Sequence, residues 1–188
     1  MKTQIFVILL SIFSSAIFAG SNPSVLVERA KTLVINTSNW KSEKVNVQIK
    51  EASGTIIMDE VVSNLKNSRS YNLKNLPSGS YTVEVSNDLK LTIQSFEIEG
   101  NFVKTSNDIA TIYKPVVNWN DNQLDINLLT LGAKVDLNIT DANNNTIFVK
   151  KFDTPTVHKR YDFSKLESGT YAVNIFFGGR SFSKTFTK

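Results

Sequence analysis

One residue of the 188 is histidine and none is cysteine, and that scarcity decides most of the chemistry open to the chain. Thiol nucleophiles and thiolate-bound metals are excluded outright. A zinc site of imidazoles and thiolates needs three or four protein ligands, which His158 alone cannot supply. A serine triad would also have to use His158, which lies in the polar stretch "TVHKRYD" and aligns with Ser68 across an internal repeat. Nothing there would tune an imidazole for catalysis. In "DANNN", Asp141, Asn143 and Asn145 take the first three ligand spacings of a calcium loop. The glycine and glutamate that such a loop needs further on are Thr146 and Phe152. The equivalent "EASGT" reads as a hairpin turn, and so does this stretch. Asp59 with Glu60, and Asp121 with Asp125, are the carboxylate pairs to weigh for glycosidase chemistry. Neither lies in an apolar stretch that would raise a pKa for acid catalysis. We therefore assign no catalytic residue, no cofactor-binding residue and no metal ligand, and read the chain as not an enzyme.

Two tryptophans remain. Trp40 aligns with Leu131 across the repeat and is expected in a core. Trp119 aligns with Glu28 and falls in "NWNDNQ", an expected turn. An exposed ring there would suit either a ligand contact, such as a sugar platform, or packing against the other half of the chain.

The elements that position these residues are strands. Val45, Val47 and Ile49 alternate with Asn46 and Gln48, and Val135, Leu137 and Ile139 alternate in the same way 90 residues later. Strict alternation marks half-buried strands. The same offset relates "LPSGSYTVEV" (residues 76–85) to "LESGTYAVNI" (residues 166–175) and "YNLKNL" to "YDFSKL". Each copy divides into about seven short strands separated by Gly, Asn, Asp and Ser, the spacing of a β-sandwich. Within the repeated phrase, Leu76 and Leu166 are expected to plug the two cores. Gly79 and Gly169 are expected in Ser-Gly turns that call for positive φ. Tyr81 and Tyr171 open the next strand, where a tyrosine can bond back to upstream backbone. The late pair Gly178–Gly179 suits a tight hairpin. The polar stretch 100–108 shows no strong periodicity and reads as a linker crossed by few contacts.

The phrase Tyr161, Asp162, Phe163, Leu166, Ser168, Gly169, Tyr171, Val173, followed by "GGRSFSKTFTK", resembles the C-terminal sorting domain of the type IX secretion system. More broadly it resembles immunoglobulin-like and fibronectin type III-like modules, and the tandem modules of small secreted flavobacterial proteins. The resemblance implies two tandem seven-stranded sandwiches, at 20–99 and 109–188, with sorting information in the second.

Residues 1–19 have the layout of a secretory signal peptide. Lys2 precedes an apolar run from Ile5 to Phe18, and small residues follow. The run is shorter than the ~20 residues of a spanning helix, and no membrane span is expected. The formal net charge is +4, from 21 basic and 17 acidic residues. These charges are interspersed, unlike the clustered patch of a nucleic-acid binder. The expected product is all-β and exported to the periplasm, cell surface or medium, with no cofactor. Its expected partner is an envelope or extracellular protein or, in an alternative reading, a polysaccharide bound through Trp119.

Overall fold

The computed structural model describes residues 25–28, 31–38, 40–63, 65 and 68–188; the expected signal peptide lies outside the described residues. Among these, the chain forms strands and no helix. The first copy contributes β1 (Val25–Glu28), β2 (Thr32–Asn36), β3 (Lys44–Glu51), β4 (Ile56–Ser63), β5 (Ser68–Asn72), β6 (Gly79–Ser86), β7 (Lys90–Glu99) and β8 (Phe102–Tyr113). The second contributes β9 (Val116–Asn120), β10 (Gln123–Leu129), β11 (Val135–Asp141), β12 (Thr146–Phe152), β13 (Thr156–Asp162), β14 (Thr170–Phe177) and β15 (Arg180–Thr187).

Each copy is a two-layer sandwich. The sheet β1-β2-β5 packs against β4-β3-β6-β7-β8, and β9-β10-β13 packs against β12-β11-β14-β15. Strand for strand the two topologies coincide, with β8 the addition in the first copy. Alternation explains which side faces in. Val45, Val47 and Ile49 join Leu33, Ile35, Val83 and Val85 in one buried cluster. Val135, Leu137 and Ile139 join Leu124, Ile126, Val173 and Ile175 in another. Each of these side chains is almost fully removed from water, and a buried aliphatic side chain contributes roughly 1.5–3 kcal/mol.

Residues 100–108, expected as a linker, are instead a turn and most of a strand. Gly100 turns the chain at φ +58°, and β8 then pairs with β7 from Glu99↔Phe102 to Lys90↔Tyr113. Its alternation is hidden because the pairing register shifts between Gln94 and Phe96. The slack is held by Gln94, whose Nε2 donates to the Ser106 carbonyl at 2.7 Å, and by the Asp108 amide on Ser106 Oγ at 3.0 Å. What separates β8 from β9 is only Lys114 and Pro115. Few contacts join the copies. Ile112, on β8, packs against the second cluster, and Arg180 at the start of β15 forms an ion pair with Glu84 of β6.

Candidate functional site

The repeated phrase builds the same corner twice. The Tyr81 hydroxyl donates to the Pro77 carbonyl at 2.9 Å, and the Tyr171 hydroxyl donates to the Glu167 carbonyl at 2.7 Å. Both rings are buried. Tyr81 stacks on Phe96 with centroids 5.5 Å apart, and Tyr171 on Phe186 at 6.0 Å. The reversal of the chain precedes the glycine. The Leu76 amide donates to the Leu73 carbonyl, and the Leu166 amide to that of Phe163, each at 2.9 Å. The deep plugs are accordingly Leu73 and Phe163, whereas Leu76 and Leu166 pack half-buried against their clusters.

The two glycines differ. Gly79 has positive φ, +156°, as expected, whereas Gly169 is not among the positive-φ residues. A Cβ on Gly169 would meet nothing within 4 Å. Gly169 sits beside the last residue, its carbonyl accepting from the Lys188 amide at 2.9 Å. Each corner also carries an ammonium cap that the sequence did not signal. Lys31 Nζ donates to the Leu76 carbonyl at 3.0 Å, and Lys188 Nζ donates to that of Leu166.

Trp119 is not an exposed platform. It is half-buried in β9, stacked on Phe186 at 4.5 Å and edge-on to Phe163 at 5.3 Å. Nor does it pack on the other copy, since its cluster is that of the second sandwich. The register explains the error. Trp119 pairs with Leu124 as Val27 pairs with Leu33, so its counterpart is Val27 rather than Glu28. The β9–β10 hairpin closes over Asp121 and Asn122 at positive φ, one residue fewer than the β1–β2 connection, and the alignment slips there. A similar slip affects Trp40, which is buried as expected. Its amide bonds the Thr37 carbonyl as that of Ala133 bonds Thr130, so its counterpart is Ala133. Leu131 is left 64% exposed.

The remaining candidates are surface features. His158 is exposed on β13 and its Nδ1 contacts Asn127 Oδ1. Asp141 closes its turn by accepting from the Asn143 and Asn145 amides, each at 2.8 Å, and from Asn145 Nδ2. The Asn145 side chain and amide hold its pKa below the usual value. Asp59 is held low by the amides of Asn46 and Gln48, and Asp125 by the Arg160 guanidinium at 2.6 Å. A general acid needs a shift in the opposite direction. Among the described residues no group of three or more His, Asp or Glu could hold a metal.

The surface missed from sequence lies at the junction. Leu89, Tyr113, Val116 and Leu129 are exposed and line one groove of about 440 Å³, with Lys114 and His158 also in its lining. Leu89 sits in the turn stretch "NDLK", where an apolar residue carried no periodic signal. A cleft of about 520 Å³ opens between β9 and β15 over Val117, Val173 and Ile175. Lys184 Nζ donates across it to the Val117 carbonyl.

The duplicated two-layer sandwiches define an all-β protein built from immunoglobulin-like modules. The family model for the secretion system C-terminal sorting domain matches the chain twice, over residues 29–99 and 118–188, and the chain belongs to that family. Membership marks it for export to the cell surface or extracellular space. No curated protein matches it in sequence. Solved structures similar to it include the BSP domain of a biofilm-associated protein, at 17% identity and TM-score 0.29 over 86% of this chain and 28% of that one. A two-domain fibronectin type III segment of chicken tenascin is also similar, at 13% identity and TM-score 0.33 over 88% of this chain and 98% of that one. The chain thus spans under a third of the first of these. Among the described residues no helix is long and apolar enough to cross a membrane.

Proposed function

We propose that the chain is a non-catalytic exported protein made of two sorting-domain modules, residues 25–113 and 116–188, that presents its surface to an envelope or extracellular protein. The second module carries the sorting information. The observation that carries this reading is the family match over residues 118–188. Two separate buried clusters support the division into modules. The junction groove supports a protein partner, because contiguous exposed apolar surface with a polar rim marks interaction sites.

Two experiments test the reading. Residues 116–188 fused behind a periplasmic passenger, in a host with the matching secretion system, carry the passenger to the medium or cell surface. Retention in the periplasm contradicts the sorting role. Leu89→Ser combined with Tyr113→Ser leaves export intact and lowers chemical cross-linking to surface proteins; undiminished cross-linking contradicts the groove. No observation favours the polysaccharide reading, because the Trp119 ring is spent on Phe163 and Phe186.

A further inference from the structure

Glu84 is the one buried acidic side chain among the described residues, 8% exposed, and it holds cations from both copies. Lys50 Nζ lies 2.7 Å from Oε2, and the Arg180 guanidinium pairs with Oε1. The repeat shows that this cluster is not needed to hold a sheet of this kind together. In the second copy, Gln48↔Glu84 becomes Asn138↔Asn174, and Lys50 becomes Thr140. Four strands of this sheet recur in the second copy, but only the first copy carries the charges. It is also the copy that receives a neighbour.

The neighbour is shaped for a close approach. Gly178 and Gly179, at φ +57° and +71°, make the two-residue turn between β14 and β15. This conformation favours glycine. A Cβ on Gly178 would stand 3.3 Å from Ile112 Cδ1, tighter than side chains ordinarily tolerate. Ile112 pairs with Leu91, and Ile93 with Glu84, so these residues share the outer face of the first copy's larger sheet. In a lone sandwich that face would meet water, yet Leu91 is 8% exposed.

We infer that this outer face is a built-in receptor for the Gly178–Gly179–Arg180 hairpin tip, with Glu84 as its recognition element, so that the two copies form one unit of fixed angle. Tandem modules joined by a small interface move relative to one another by default. Here a buried carboxylate shared between two cations opposes that motion. Removing one partner of such a cluster leaves the others buried and uncompensated. Glu84→Gln leaves Lys50 and Arg180 facing each other without an anion. Arg180→Ala removes the pin while keeping the Lys50–Glu84 pair.

The inference is independent of the export reading, because its test uses only the purified chain. The protein has no cysteine, so Ser53→Cys and Asn143→Cys, at exposed turns of the two copies, accept a single pair of spin labels. Pulsed electron–electron spectroscopy gives one narrow distance distribution in the labelled parent. In Arg180→Ala and Glu84→Gln the distribution widens about twofold or more, as free tandem modules would. Circular dichroism establishes that each variant is folded. If Glu84→Gln unfolds, Arg180→Ala decides alone, being at the rim of the interface. A broad distribution in the parent overturns the inference. So does a distribution that stays narrow in every folded variant.

Discussion

Tyr81 and Tyr171 each keep a hydroxyl on a carbonyl four residues back, and this is the part of the corner that was legible residue by residue. Phenylalanine at either site keeps the packing and removes a part-buried hydrogen bond to the backbone, so each variant loses about 0.5–1.5 kcal/mol in denaturant unfolding. Gly169 was not legible, because a Ser-Gly pair looks the same whether or not its glycine takes positive φ. Gly169→Ala therefore changes stability by less than about 0.5 kcal/mol. Gly178→Ala costs at least about 1–2 kcal/mol for the left-handed backbone alone, with the crowding of Ile112 added to it. Equal melting temperatures for these two variants would contradict the turn geometry. Asp141 gives the acid-side expectation. Its pKa in the folded chain is lowered from 3.8, so its contribution is fully present above 3.8 and is lost as the pH falls through the folded value. An NMR titration then places its midpoint below 3.8, unmoved by calcium. A calcium-dependent shift would restore the ligand-loop reading.

At the scale of elements, alternation identified β3, β6, β11 and β14 because each has one face in a core and one in water. It failed for β8, an edge strand whose register shifts at the Gln94–Phe96 step, and whose polar residues therefore looked like a linker. Removing β8 turns β7 into the edge and strips Val103 from the cluster. A chain ending at 99, where the sequence alone suggests a clean boundary, is thus expected to unfold at lower denaturant than one ending at 113. Trp119 failed for a related reason. The two equivalent hairpins differ in length by one residue, and a slip of one residue moves a strand side chain to the opposite face. With its ring among Phe163 and Phe186, Trp119→Ala costs about 3 kcal/mol of stability. Unchanged stability would return that ring to the surface.

Across the whole molecule, duplication and two-layer architecture could be read from the repeat, because both copies solve the same packing problem with the same phrase. What joins the copies could not. Glu84 and Arg180 are 96 positions apart, and Glu84 looks like any outward residue between Val83 and Val85. The match of the family model to an internal copy as well as to the second one also separates two roles that the phrase could have: a folding device, present wherever the sandwich occurs, or a signal read by the secretion machinery. The twofold occurrence of the corner favours the first role. The most direct test measures, on the same Tyr171→Phe variant, both its unfolding midpoint and the fraction exported at a temperature where it is folded. The account predicts a midpoint lowered about as much as by Tyr81→Phe, with export equal to that of the parent. An unchanged midpoint with export lost would contradict it, and would make the phrase a recognition signal.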